Sequence, residues 1–219
     1  MKFDPAGWPF VGAALILAAL AAWIGGGWAA APALILAVML LLFFRDPDRI
    51  APDDPDAVVS PADGRVLVAG TPQPGVAPPG EWLQVSIFLS PLDVHVNRVP
   101  AAGRVAKVTH RPGRYLAAYR PEAAGSNVCS EVWIDHHGQP IVFRQIVGVL
   151  ARRVVCRLEP GRQVAAGDRF GVMKFGSRMD VFLPTTAVLR VTVGDHVRGG
   201  ETVIARLSLK GSTVGAQEM

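Results

Sequence analysis

Two apolar runs open the chain, "WPFVGAALILAALAAWI" (Trp8–Ile24) and "WAAAPALILAVMLLLFF" (Trp28–Phe44), and neither contains a charge. Only Gly25-Gly26-Gly27 separates them. Each run is 17 residues long. As a helix at about 1.5 Å per residue it would span roughly 25 Å, near the lower limit for crossing a bilayer. Trp8, Trp23 and Trp28 lie near the run ends, where indoles favour the membrane–water interface. The triple glycine is a natural tight turn. Residues 1–44 therefore read as a membrane-anchoring helical hairpin with both ends on one side. Lys2 flanks one end and Arg45 and Arg49 the other, so the positive-inside rule puts the rest of the chain on the cytoplasmic side of an inner membrane. Length leaves open whether the hairpin spans the bilayer or dips into one leaflet. A cleaved signal peptide fits less well, because Lys2 is a thin charged region and a second apolar run follows at once.

After Phe44 the texture changes. The only earlier charges, Lys2 and Asp4, cancel, so the net charge of +4 belongs to residues 45–219. Its positive part is mostly Arg, whose fork suits phosphate and carboxylate. No basic run carries interleaved aromatics, so nucleic acid is not an expected partner. "RDPDRIAPDDPDA" reads as a Pro/Asp-rich extended linker over 45–57. The two cysteines, Cys129 and Cys156, lack CxxC spacing and sit in strand-like apolar contexts, which predicts core thiols. No metal-binding pattern is present.

Residues 58–219 read as one β-rich domain. Short runs such as "EWLQVSIFLS", "SEVWIDHHGQPIVFRQIVG" and "RMDVFLP" alternate in polarity and are broken by Gly and Pro. A short helix around Tyr115–Tyr119 is the only helical stretch expected here. "VTVGDHVRGGETVIA" has the form of a hammerhead turn, as in lipoyl-like domains. Gly194 and Gly199-Gly200 would supply positive φ at its corners, with Val197 buried between them. "LEPGRQVAAGDRFGVMKFG" repeats the half-motif. The predicted fold is mainly β, a sandwich or barrel-like domain with two lipoyl-like hammerhead hairpins, behind a hydrophobic helical hairpin.

Four motifs stand in order behind the apolar segment: "SPADG" (Ser60–Gly64), "SPLDVHVNRVPAAG" (Ser90–Gly103), "FGSRMDVFLP" (Phe175–Pro184) and "GST" (Gly211–Thr213). Together they resemble the phosphatidylserine decarboxylase family in its short prokaryotic form, over nearly all of residues 43–213. The resemblance implies a proenzyme that cleaves its own Gly211–Ser212 bond. Ser212 would become a pyruvoyl group, and a large and a small chain would arise from one precursor. It further implies a pyruvoyl-dependent decarboxylase that converts phosphatidylserine to phosphatidylethanolamine and CO2. Such chemistry leaves a carbanion that needs an electron sink, and the pyruvoyl carbonyl is one that the chain makes for itself. A phospholipid substrate and a membrane are the implied partners, and a homo-oligomer is left open.

A serine nucleophile needs a base, and the base an orienting group. The expected base is His95 and the orienter Asp63, by resemblance to the family's "PxDG" stretch. Strand alternation would put Asp93, His95 and Asn97 on one face. Longer family members carry a second histidine three residues after the one matched to His95, and here that place is Arg98. Either His95 serves both cleavage and decarboxylation, or Arg98 binds the substrate's phosphate or carboxylate. Ser177 and Arg178 are further substrate-binding candidates. His136 and His137 read as turn residues, and His110 and His196 as exposed. The alternative class is a membrane-tethered lipoyl-like adaptor, or a carrier modified at Lys174 in "VMKFG".

Overall fold

The computed structural model describes residues 2–149, 154–174 and 176–208. The apolar runs form helix α1 (Trp8–Gly25) and helix α2 (Ala31–Phe43), joined by a 3-10 turn at Gly27–Ala30. Gly26 turns the corner at φ 80°. Where the helices meet, the buried side chains are mostly alanine, Ala14 and Ala18 on α1 and Ala33 and Ala37 on α2, with Val11, Leu40 and Phe43 buried toward the foot. Small residues at helical spacing let two backbones approach closely. Leu15, Ile16, Leu17 and Leu20 of α1 and Leu34, Ile35, Val38 and Met39 of α2 are exposed. This reverses a soluble helix pair, which turns its large apolar side chains inward. Pro5–Gly25 is long and apolar enough to cross a membrane, and Gly27–Phe43 is shorter. The hairpin closes at its foot, where β1 (Lys2–Phe3) pairs antiparallel with β2 (Arg45–Asp46).

The rest of the chain is mainly β. Its strands are β3 (Ala57–Val59), β4 (Gly64–Gly70), β5 (Trp82–Leu89), β6 (Val96–Arg98), β7 (Gly103–Arg111), β8 (Cys129–His136), β9 (Gln139–Val147) and β10 (Val154–Cys156). There follow β11 (Gln163–Val164), β12 (Arg169–Met173), β13 (Ser177–Pro184), β14 (Val188–Leu189), β15 (His196–Val197) and β16 (Val203–Arg206). One sheet of eight strands has the order β11-β7-β8-β9-β13-β5-β4-β15. Two three-stranded sheets, β10-β12-β6 and β14-β16-β3, accompany it. Alternation along the strands decides what is buried. Val132, Ile134, Ile141, Phe143, Met179 and Val181 of the large sheet share a core with Val58, Phe170, Met173 and Ile204 of the small ones. The opposite face of the large sheet buries Trp82, Val142, Ile146 and Phe182 against Val76 and a short helix, α3 (Ala123–Ser126). Among the described residues the strands do not close into a barrel.

Both hammerheads are present, and they dock on two arms of like sequence. β15 pairs with β4 through Val197↔Gly64, and β11 pairs with β7 through Val164↔Gly103. The docking segments are Pro61-Ala62-Asp63-Gly64-Arg65-Val66 and Pro100-Ala101-Ala102-Gly103-Arg104-Val105. Val66 exchanges backbone hydrogen bonds with Gly194 and Asp195, and Val105 does so with Gly161 and Arg162. The domain is thus an internal repeat of a docking arm and a hammerhead.

Two expectations need correction. Gly199 does not have a positive φ, unlike Gly194 and Gly200; it lies close against Ala62 and leaves its N–H for Asp63. Residues 115–119 are not helical: the Asn127 side chain bonds both the N–H and the C=O of Leu116, and a single turn follows in which Arg120 N donates to Ala117 O. The helical turn falls later, at α3. Both cysteines are free thiols, Cys129 buried and Cys156 half-buried.

Gly64 is fixed by close approach: a Cβ there would overlap the carbonyl oxygen of Phe88. Gly64→Ala is expected to cost about 3 kcal/mol or more, read as a lowered denaturant midpoint. Unchanged stability would show that β4 and β5 do not approach this closely.

Candidate active site at the foot of the hairpin

The segment leaving α2 is extended but not free. Asp46 bonds Arg98 Nη2 through Oδ1 at 3.1 Å and Arg169 Nε through Oδ2 at 2.5 Å. Arg49 reaches Asp63 Oδ2 with Nη2 and Glu201 Oε2 with Nη1, each at 2.8 Å. Arg98 and Arg169 belong to paired strands β6 and β12 beside the first hammerhead. Asp63 and Glu201 belong to the second hammerhead and its docking arm. The stretch expected as a plain linker therefore staples the hairpin to both repeats.

Asp63 is held on two sides. Its Oδ1 accepts from Gly199 N at 2.7 Å and its Oδ2 from Arg49. Burial raises its carboxyl above the ordinary range, against the opposing pull of the Gly199 amide and Arg49.

His95 is fully buried. It follows a turn in which Asp93 N donates to Ser90 O and Asp93 Oδ2 accepts from Ser90 N. Asp93 is thus a turn residue, and the strand begins only at Val96; the expected common face does not extend back to Asp93. The His95 Nδ1 lies 2.9 Å from Asp93 O. A carbonyl only accepts, so Nδ1 carries the proton and Nε2 the lone pair. Nε2 has no partner among the described residues. The Phe43 ring, at the end of α2, packs over the imidazole with centroids 3.9 Å apart. Burial lowers the His95 pKa from 6.5 to about 4, although the Asp93 carbonyl and carboxylate oppose the shift and Arg45 adds to it. At neutral pH His95 is an uncharged imidazole with an unused lone pair, the state a proton acceptor needs.

The structure does not join His95 and Asp63 by a hydrogen bond. The orienting acceptor for His95 is the backbone of Asp93, and Asp63 is engaged with Gly199 and Arg49. They share a neighbourhood nonetheless, because the charges of Asp93 and Arg45 act on both.

Arg98 and Arg178, expected at the substrate, are buried and committed to internal partners. Arg98 donates to Asp46, Pro47 O and Gly167 O. Arg178 donates to Asp180, Gln73 and Ser86. Neither presents a free fork to a head group. Ser177 is buried, and its Oγ lacks a partner among the described residues. A related pair escaped sequence reasoning. Gln145 Nε2 donates to Asn97 Oδ1 at 2.8 Å, which leaves Asn97 Nδ2 and Gln145 Oε1 buried and without a partner among the described residues. The available signal was Gln145 itself, a polar residue in phase with core-facing Ile141 and Phe143.

His136 donates from Nδ1 to Ala102 O and precedes the His137-Gly138 turn, where both residues have positive φ. His110 and His196 are exposed. Lys174, the carrier candidate, lies over the Phe10 ring of α1 at 4.6 Å and not at a hairpin tip. Among the described residues no His/Cys/Asp/Glu cluster is arranged to hold a metal. Gly211 and Ser212 lie outside the described residues. The last described residue, Ser208, accepts at its carbonyl from Gln139 Nε2 at 2.8 Å.

The buried neutral His95 has a pH signature. Below pH 6.5 the unfolded chain binds a proton at this residue, and the folded chain does not until about pH 4. The group's contribution is therefore complete above pH 6.5 and is lost as pH falls toward 4, by up to ~3 kcal/mol. His95→Gln is expected to flatten the dependence of the denaturant midpoint on pH across that window. Equal slopes in the two proteins would contradict a neutral buried His95.

Known proteins resemble this one over most of its length. The phosphatidylserine decarboxylase family pattern matches residues 36–205. A phosphatidylserine decarboxylase proenzyme of Desulfotalea psychrophila is 43% identical over 175 residues, 80% of this chain and 82% of its own. That of Paramagnetospirillum magneticum is 42% identical over 97% of this chain and 88% of its own, and that of Solibacter usitatus 42% over 94% and 97%. With a pattern covering well over half its residues and relatives alike nearly end to end, the chain belongs to the phosphatidylserine decarboxylase family.

Proposed function

We propose that this protein is a membrane-bound, self-processing decarboxylase that converts phosphatidylserine to phosphatidylethanolamine and CO2. Its relatives carry the name proenzyme, which supports a precursor cut into two chains at Gly211–Ser212. The apolar hairpin, with large side chains outward, supports anchorage in a bilayer, where a diacyl substrate resides. Lys2, Arg45 and Arg49 at its foot favour the cytoplasmic face of an inner membrane.

The observation that carries the reading is His95: buried, neutral, fixed in one tautomer, with Nε2 unengaged at the end of the hairpin. In self-cleavage the Ser212 hydroxyl attacks the Gly211 carbonyl as His95 Nε2 accepts its proton. The amide becomes an ester. Elimination then releases Gly211 as a carboxylate and leaves dehydroalanine, which water converts to a pyruvoyl group with loss of ammonia. The pyruvoyl carbonyl supplies the electron sink that decarboxylation requires. His95 is also placed to hold and return the proton in the second reaction, since Arg98 is spent on Asp46 and two carbonyls. Phe43 covers the imidazole and excludes water from it. Arg49, between Asp63 and Glu201, opposes the effect of burial on the Asp63 carboxyl.

Intact mass spectrometry of wild type and Ser212→Ala tests the processing. Wild type is expected to give a chain ending at Gly211 and a pyruvoyl-blocked fragment, and Ser212→Ala a single uncut chain without activity. An uncut wild type that decarboxylates the lipid would overturn the mechanism. His95→Gln is expected to slow the cleavage by at least about 100-fold, the scale of a lost general base, in a time course after synthesis. Cleavage at the wild-type rate would remove His95 from the first step.

A further inference from the structure

Beside α2 lies an apolar groove of about 280 Å³, lined by Leu36, Met39, Leu40, Leu42, Pro91 and Leu92, with Phe43 and Arg45 at one end. Arg45 is the single charged residue in that lining. Its Nη1 donates to Leu42 O and its Nη2 to Leu92 O, both at 2.7 Å. Two carbonyls thus aim the guanidinium and leave further N–H groups unused. Among the described residues Arg45 forms no ion pair, whereas Arg49, Arg98 and Arg169 nearby all do. A half-buried, oriented cation without a counter-ion at the mouth of an apolar groove matches an anion that carries a hydrocarbon chain.

The order of features along this edge is informative. The groove comes first and opens on the exposed apolar face of α2. Arg45 follows at the end of the helix, at the level where apolar side chains give way to the charged foot. Phe43 comes next, a wall of the groove on one side and in contact with the His95 ring on the other. Chain, phosphate and head group follow one another in the same order in a glycerophospholipid. The volume is at the low end for ligand pockets and suits one acyl chain, not two. Leu92, 83% exposed, leaves apolar surface open at this edge.

We infer that Arg45 receives the phosphodiester of the lipid while one acyl chain lies in the groove between α2 and Pro91-Leu92, which directs the head group past Phe43 toward His95. The inference rests on the decarboxylase reading of the same site. It makes Arg45, and not Arg98 or Arg178, the residue that selects a phosphorylated head group.

Two substrates separate the parts: dioleoyl phosphatidylserine in mixed micelles, and glycerophosphoserine, which keeps the phosphodiester and lacks the chains. Arg45→Gln in the full processed protein is expected to raise KM at least about tenfold for both substrates with kcat little changed, the pattern of lost binding. Arg45→Lys should recover part of that loss. Met39→Trp, which fills the groove, should raise KM for the diacyl lipid alone. An unchanged KM in Arg45→Gln, or equal effects of Met39→Trp on both substrates, would overturn the proposal. A phosphatidylserine with a photoreactive acyl chain gives a readout free of catalysis. Label is expected on residues 36–43 and 91–92 and is lost in Met39→Trp. Groove labelling in a protein that does not decarboxylate would retire the reaction and keep the site; label spread evenly over both helices would retire the site.

Discussion

The structure turns on a short charged staple, Asp46 and Arg49, four residues from end to end. Asp46 holds Arg98 and Arg169, and Arg49 holds Asp63 and Glu201. An apolar hairpin packed on alanine has no reason of its own to stand at one angle on a β-domain. The staple supplies that reason, because Asp46 ties the hairpin foot to one repeat and Arg49 ties it to the other. The Arg98–Asp46 pair is almost fully buried, the kind whose disruption leaves a charge stranded at a cost of about 3–5 kcal/mol. The same staple delivers Phe43 to His95 and fixes Asp63 beside Gly199. Hairpin and candidate site are therefore built together: the hairpin's last α-helical residue, Phe43, also packs on His95.

The internal repeat is alike in backbone and unlike in charge. Two arms of like sequence dock two hammerheads through equivalent hydrogen bonds. At the third position of each arm one carries Asp63 and the other Ala102. The hammerhead amide facing Asp63 belongs to Gly199. A symmetric scaffold thus presents a carboxylate on one side only, the side to which Arg49 reaches. The second arm keeps the backbone geometry and serves the fold.

Much of this was legible in the sequence. The two uncharged runs around three glycines have a hairpin as their simplest solution, and alternating strands between glycine-rich turns identify the β-domain. Val197 between turn glycines marks the hammerhead, and the motif around His95 marks the candidate site. Other features were not legible, for identifiable reasons. "RDPDR" has the composition of a linker, and only the fold brings Arg98, Arg169, Asp63 and Glu201 to it. Arg98 and Arg178 have the chemistry of anion binders, and burial against internal carboxylates and carbonyls is not visible from their neighbours in sequence. Asp93 fits the alternation that includes His95, but its own carboxylate closes a turn at Ser90 and stops the strand. Gln145 and Asn97 meet across two sheets, a pairing that no local pattern encodes.

The central claim is that the reacting carbonyl is built from Ser212 and works at this foot of the hairpin. Its most direct test is reductive trapping: incubate the purified protein with phosphatidylserine and cyanoborohydride, then locate the added mass by peptide mass spectrometry. The account predicts that lipid amine becomes attached to the N-terminus of the fragment of residues 212–219, and that Ser212→Ala traps none. Decarboxylation that proceeds while the lipid is trapped on a lysine, or not trapped at all, would contradict it.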